Sequence, residues 1–451
     1  MMTDQARRRS QLMTKMQQAG GGIAIIPTAP EAIRNGDVDY PYRHDSYFYY
    51  LTGFTEPKAV LVLHVAPDSE NGRAILFCQE KNVEREIWEG FRYGPQAAQE
   101  VFGMDAAFDV AALDRELPRL LADAPAMFFA IGRSALLDAQ VRGWLASVRN
   151  QARAGVTAPS ILHDIVPLLN TMRLIKDAGE LSLMRHAASI SAAAHARAMR
   201  LSRPGKTEYQ IEAELLYEFR QAGAEFPAYP SIVATGSNAC VLHYRAGASI
   251  LQDGDLVLVD AGCEYAGYAS DITRTYPANG RFSGPQKILY DIVLAAQQAA
   301  IDAARPQAAF TDGHDAALKV LVQGMLETGL LDANKVGLPE DAIANGDYKQ
   351  FYMHRTSHWL GMDVHDVGDY RQPSSPSAPG VSPSRLLQPG MVLTVEPGLY
   401  VRAAEGVPQQ FWDIGIRIED DVAITETGCE VLSAAAPKTV ADIERICQES
   451  T

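Results

Sequence analysis

A faint internal repeat of roughly 100 residues constrains this fold more than any other feature of the sequence. A helix is expected over 177–201, because Asp177 can cap it and Glu180 stands three residues on, as in a capping box. Arg203-Pro204-Gly205 stops it. Thr207 with Gln210 then forms a second box, opening a helix through Leu215 and Phe219 to Gly223. The same order returns downstream as a helix over 285–304, the dipeptide Arg305-Pro306, a polar start at Thr311, and a helix through Leu318, Leu321 and Met325 to Gly329. Each helix pair precedes β-rich sequence, 256–260 and 272–276 in one half, 391–395 and 414–424 in the other. A chain that writes this order twice folds most economically as a pseudo-twofold α+β domain with its cleft between the halves.

Upstream, apolar strand-like runs at 23–27, 60–64, 74–77 and 126–131 alternate with helical stretches at 95–102 and 134–152, the pattern of an α/β domain. A boundary is expected near 171–176, dividing the chain into domains 1–173 and 174–451. The Ser- and Pro-rich stretch 372–388 reads as an extended surface loop.

Forty Lys and Arg against 55 Asp and Glu give a formal net charge of −15, and no basic run offers phosphates a footprint, so nucleic acid is not an expected partner. Five cysteines, Cys78, Cys240, Cys263, Cys429 and Cys447, are scattered, odd in number and free of any C-x-x-C, which reads as reduced thiols in a cytoplasmic protein. No signal-like segment follows Arg7, Arg8 and Arg9, and no window of about 18 apolar residues occurs, which argues against secretion and a membrane partner. Gly205-Lys206-Thr207 imitates the end of a P-loop, but Arg200 stands where its first glycine belongs. No G-x-S-x-G or G-x-G-x-x-G is present, and Arg355 replaces the glutamate that an H-E-x-x-H helix needs between His354 and His358.

Chemistry concentrates at strand ends. Asp260 closes the apolar run 256–259 and Asp271 opens the next strand. With 264–267 as the hairpin turn, the two would face each other across the ladder, Cβ atoms about 4.5–5.5 Å apart, and would repel unless they share a proton or bind a cation. The plainer reading is a turn cap and a surface ion pair. Glu396 ends 392–395 before Pro397-Gly398, and Glu419 ends 415–418; each alone is as well explained by a salt bridge, for instance to Arg417. Three of the ten histidines, His354, His358 and His365, fall within twelve residues. Two Asp, two Glu and a neutral His358 form an oxygen-rich set able to hold two divalent metals about 3.5–4 Å apart, and its hardness favours Mn²⁺.

These residues resemble the pita-bread metallopeptidases, and within them the aminopeptidase P family. The resemblance rests on Leu242-His243-Tyr244, Asp260-Ala261-Gly262, Asp271-Ile272-Thr273-Arg274-Thr275, the run from His358 to Gly368, Glu396-Pro397-Gly398 and Gly415-Ile416-Arg417-Ile418-Glu419-Asp420. Upstream, Tyr40-Pro41-Tyr42-Arg43-His44-Asp45-Ser46 and Tyr50-Leu51-Thr52-Gly53-Phe54 resemble the family's non-catalytic domain. The resemblance implies a pita-bread catalytic domain in which Asp260, Asp271, His358, Glu396 and Glu419 hold two metals, Asp271 and Glu419 bridging them. It further implies that a metal-bridging hydroxide cleaves the bond before a proline in second position, with Glu396 as general base. His365 is expected near the scissile carbonyl, His243 and His354 near the proline, and Tyr370 and Arg417 at further substrate positions. Homo-oligomers, dimers or tetramers, are common in the family. Many members carry Gly-Leu where Arg355-Thr356 stands here. A prolidase restricted to Xaa-Pro dipeptides, or a catalytically inactive pita-bread binding protein, are the competing readings.

Overall fold

Short runs of Val, Ile and Leu pair into one sheet in the first of two units, Met1–Met172 and Arg173–Thr451. The computed structural model describes residues 3–67, 72–372, 380 and 382–449. Across the sheet the strands are Ala106–Asp109, Arg73–Cys78, Val60–Val65, Gly22–Pro27, Ala126–Phe129 and Ile161–Asp164. All run parallel except Val60–Val65, which is antiparallel to both neighbours. This is the α/β architecture expected from the alternation. Helices Leu113–Leu121 and Ala135–Arg149 cover one face, packing Leu117, Leu121, Val141 and Val148 against Ile25, Val62 and Phe77. The N-terminal arginines lie in a helix, Asp4–Gln18. There Arg9 is buried and donates to the carbonyls of Leu51 at 2.8 Å, Phe102 at 3.1 Å and Gly103 at 2.8 Å, satisfying acceptors left over at helix ends.

In the second unit the repeat is visible as two helix pairs, Ala178–Leu201 with Glu208–Gln221 and Gly284–Ala303 with Phe310–Glu327. The Asp177/Glu180 box closes in both directions, Glu180 N to Asp177 Oδ1 at 2.9 Å and Asp177 N to Glu180 Oε2 at 3.1 Å. At Thr207 only the reciprocal half forms, Thr207 N donating to Gln210 Oε1 at 2.9 Å. The fourth helix begins before the expected Thr311: Ala309 N donates to Asp312 Oδ2 at 2.8 Å, so an acidic side chain in the first turn takes the cap amide without a polar capping residue.

The first half continues into the antiparallel strands Ile232–Thr235, Leu256–Asp260 and Thr273–Pro277. In the second half Val392–Val395 pairs with Asp420–Ile424, and Gly398–Val401 with Ile414–Arg417. The β-rich sequence expected over 414–424 forms two strands, Ile414–Arg417 and Asp420–Ile424, separated by Ile418 and Glu419. The halves meet where Glu419 N donates to Thr273 O at 3.0 Å and Thr275 Oγ1 to Arg417 O at 3.0 Å.

One register differs from expectation. Asp260 pairs with Thr273, not Asp271, because the turn is centred on Ala266 and Gly267, φ 48° and 77°, between the paired Tyr265 and Tyr268. Of the loop expected over 372–388, residues 373–379 and 381 lie outside the described residues. No helix among the described residues is long and apolar enough to cross a membrane. The five cysteines carry no disulfide.

Candidate metal centre

The strand breaks decide where charge can sit. Asp260 closes Leu256–Asp260, Asp271 lies just ahead of Thr273–Pro277, Glu396 follows Val392–Val395, and Glu419 fills the gap before Asp420–Ile424. His358 rides on a segment laid along Val392–Val395: Thr394 N donates to His358 O at 3.0 Å, and Glu396 N to Thr356 O at 2.8 Å. Two carboxylates thus come from each half of the repeat, and the histidine from the second.

The structure brings these five together. Asp271, His358 and Glu419 each offer a ligand atom within 4.8 Å of the others. His358 Nε2 is 3.4 Å from Asp271 Oδ2 and 3.6 Å from Glu396 Oε1. The aspartates, although not cross-strand partners, converge through the Tyr229 hydroxyl, 2.6 Å from Asp260 Oδ1 and 2.5 Å from Asp271 Oδ1. His358 Nδ1 lies 2.9 Å from its neighbour's carbonyl, Trp359 O. Donation there leaves the Nε2 lone pair facing the carboxylates.

Such density of buried negative charge is costly. Burial, then Asp271 and the other carboxylates, raises the Glu419 pKa well above its ordinary value. Burial raises Asp271 as well, with Asp260 adding to it. Glu396 is pushed up to about 7, chiefly by burial, against the pull of His358 and Arg417. Burial opposes charge on His358, yet Asp271 and Glu396 outweigh it and lift the imidazole to about 9. Protons or divalent cations can relieve the strain. A set of carboxylate oxygens and one imidazole, with no sulfur, suits hard divalent cations, so the donor chemistry fits a metal centre.

Around the cluster, Arg417 is buried and divides its fork: Nη2 donates to Asp260 Oδ2 at 2.5 Å, Nε to Thr273 Oγ1 at 3.2 Å, and Nη1 to Tyr400 OH at 2.9 Å. The salt bridge weighed for the glutamates is thus made by Asp260. Tyr400 OH is 2.8 Å from His354 Nε2, and burial, then Arg417, lowers the His354 pKa to about 4, keeping it neutral. The His365 ring stands 4.1 Å from that of His358, and His243 is exposed on the wall. A cavity of about 570 Å³ is lined by every expected site residue except Tyr370. Tyr370 instead stacks on Trp359, ring centroids 5.7 Å apart, and accepts from Trp359 N at 3.4 Å.

Sequence reasoning missed four participants. Tyr400 and Asp421 carried a signal, the period of two that places them on the faces of Glu396 and Glu419. Asp421 accepts from Asp271 N at 3.2 Å. Thr273, whose Oγ1 donates to Glu419 Oε2 at 2.6 Å, lay inside a noted motif without an assigned part. Tyr229, in irregular sequence before Pro230, carried none.

Comparison with known proteins gives a consistent picture. Residues 182–426 match metallopeptidase family M24, and residues 5–129 match the aminopeptidase P N-terminal domain. The chain is 43% identical over 440 residues to an Escherichia coli Xaa-Pro aminopeptidase, covering 98% of this chain and 96% of that one. It is 32% identical to human Xaa-Pro aminopeptidase 3, over 99% of this chain and 86% of that one. Among solved structures it resembles Pseudomonas aeruginosa aminopeptidase PepP, with TM-score 0.93 and 47% identity over 98% of this chain and 97% of that one.

Proposed function

Since this chain belongs to metallopeptidase family M24 and carries an aminopeptidase P N-terminal domain, we propose that it removes the first residue from peptides with proline in second position. The observation that carries this reading is the convergence of five donors from both halves of the repeat onto one cavity, four of them buried and Glu396 half-buried. Asp260, Asp271, His358, Glu396 and Glu419 would hold two divalent cations, with Asp271 and Glu419, near the middle of the cluster, shared between them. The donor hardness favours Mn²⁺. Bound there, the cations would supply Lewis acidity and bring the pKa of a bound water down to about 7.

The chain's own groups do the rest. Glu396, beside the attacking water, can take its proton and return it to the departing proline nitrogen. Arg417 and the Tyr400 hydroxyl position Asp260 and His354. Neutral His354, both ring nitrogens engaged by Arg355 O and Tyr400 OH, lines the path of the peptide, and His365 and His243 can hydrogen-bond its carbonyls. The substrate's free α-amino group is drawn to the acidic interior, which confines cleavage to the first bond. The bond before proline is a tertiary amide without N–H, so no donor there needs a partner. We place the enzyme in the cytoplasm, as a dimer or tetramer.

The test is release of the first residue from an Arg-Pro-Pro peptide by metal-stripped protein with and without added Mn²⁺. Metal-dependent release is expected. Its absence would leave an inactive binding protein. Cleavage of Xaa-Pro dipeptides with no turnover of Xaa-Pro-Yaa would make the enzyme a prolidase.

A further inference from the structure

The cavity is acidic within and basic at its mouth. Arg245 and Arg355 line it, are both exposed, and make no ion pair or side-chain hydrogen bond among the described residues. Their backbones are nonetheless held firmly. Beside Arg245, the carboxylate of fully buried Glu208 accepts from Tyr244 OH at 2.9 Å, Gly247 N at 3.0 Å, Asn238 Nδ2 at 2.9 Å and Thr235 N at 2.9 Å. Beside Arg355, fully buried Thr356 is bound through Oγ1 to His314 Nδ1 at 2.8 Å and Tyr352 OH at 2.6 Å, while Arg355 O accepts from His354 Nδ1 at 2.8 Å. Two arginines on fixed backbone, with side chains left unpaired at the mouth of a pocket, are arranged to meet an anion from outside.

Charge gives the peptide its direction. A protonated amino terminus is repelled by the arginines and drawn inward to the carboxylates, so the carboxyl end points outward. A cavity of about 570 Å³ is about 10 Å across, and an extended chain advances about 3.3–3.6 Å per residue, so the third residue of a peptide reaches the mouth. We propose that Arg245 and Arg355 form a clamp for the terminal carboxylate of Xaa-Pro-Yaa, making tripeptides the favoured substrates of this site. The proposal rests on the peptidase reading above.

The experiment compares Xaa-Pro-Yaa with its C-terminal amide on the metal-loaded enzyme. Charge-assisted pairing predicts a KM about ten- to a hundredfold lower for the acid, with kcat little affected. The gap should narrow as salt is raised, survive in part in Arg355→Lys, and close to within about twofold in Arg245→Gln/Arg355→Gln. Equal KM values for acid and amide in the wild type, or a gap that persists in the double variant, would overturn the clamp. Calorimetric binding of the uncleaved dipeptides Pro-Ala and Pro-Ala amide decides the same question without turnover. Failure of catalysis alone would therefore count against the peptidase reading, and equal binding of the two dipeptides against the clamp.

Discussion

Replacing Asp420 with alanine tests how the two halves of the second unit are locked together. The Asp420 carboxylate is fully buried and accepts from Arg274 Nη2 at 2.7 Å, Ser433 Oγ at 2.7 Å, Lys438 Nζ at 2.7 Å and Gln297 Nε2 at 3.1 Å. Burial alone would raise its pKa, but Arg274 and Lys438 outweigh burial and hold it below the ordinary 3.8, so it is charged wherever the protein is folded near neutrality. On its removal Lys438 can turn to water, whereas Arg274, fully buried, cannot. The guanidinium keeps its carbonyl partners Thr273, Glu419, Ala436 and Pro437 and loses its countercharge. Stripping one partner from a buried pair costs about 3–5 kcal/mol. At about 2–4 °C per kcal/mol for a unit of this size, Tm falls by about 10 °C. The assay is thermal unfolding of chelator-treated protein, comparing wild type, Asp420→Ala, and the double variant Arg274→Met/Asp420→Leu. Apolar packing in the double variant should regain much of the loss. An Asp420→Ala protein within about 1 kcal/mol of wild type, or a double variant no more stable than the single, would refute the reasoning.

Three further outcomes are expected. Asp271→Ala removes a carboxylate from the middle of the cluster, so elemental analysis should find at most one metal per chain; two at full occupancy contradict the shared-ligand assignment. Tyr229→Phe deletes the hydroxyl that orients both aspartates. It should weaken cation affinity by about 10–100-fold in a chelator competition, and unchanged affinity would show the phenol to be idle. Burial lowers the pKa of His195 from 6.5 to about 4, Ala261 O offsetting only part of this. The unfolded chain takes up this proton and the folded chain does not, so the stability is full above pH 6.5 and is lost as pH falls toward 4, by about 3 kcal/mol. Denaturant unfolding across that range should have a shallower pH slope in His195→Gln, and parallel slopes would exclude His195 as the cause.

What could be read in the sequence was whatever obeys a local rule. The capping boxes at Asp177 and Thr207 are local four-residue patterns, and they marked helices to within a residue or two. The carboxylates stood out because a charge ending an apolar strand needs a countercharge, and four of them with His358 left few alternatives. Features settled by distant neighbours were not legible. The hairpin register turned on Ala266, a non-glycine residue at φ 48° with no turn propensity to announce it. The edge strands Ala106–Asp109 and Ile161–Asp164 are four residues long, and the parallel pairing that defines each is made to a strand far away in sequence. Tyr229 reaches both aspartates from an irregular loop, where no periodicity predicts a direction. Tyr370 was carried by the resemblance alone, and its packing on Trp359 is a contact that no spacing rule encodes.

The acidic triplet Glu419-Asp420-Asp421 shows how strand geometry separates chemistry from scaffold. Three successive buried carboxylates would be a folding liability in a helix, where they would crowd one end. Along extended backbone, successive side chains point to opposite faces. Glu419 accepts from Thr273 Oγ1 and faces the cavity, Asp420 turns away to Arg274, and Asp421 turns back to the Asp271 amide. At the start of Thr273–Pro277, in the other half, Thr273 and Arg274 alternate in step. One pair of residues joins the halves at the reactive face and the next joins them behind it. The buried ion pair ties Thr273–Pro277 to Asp420–Ile424 behind the faces that must present repelling carboxylates to a cation. A one-residue insertion between Arg417 and Asp420 would swap the faces, sending the ion-pair partner into the cavity and the candidate ligand into the core. Loss of metal binding and loss of stability should therefore appear together in such a variant, whereas Glu419→Gln, which leaves the register alone, should cost metal affinity and little stability.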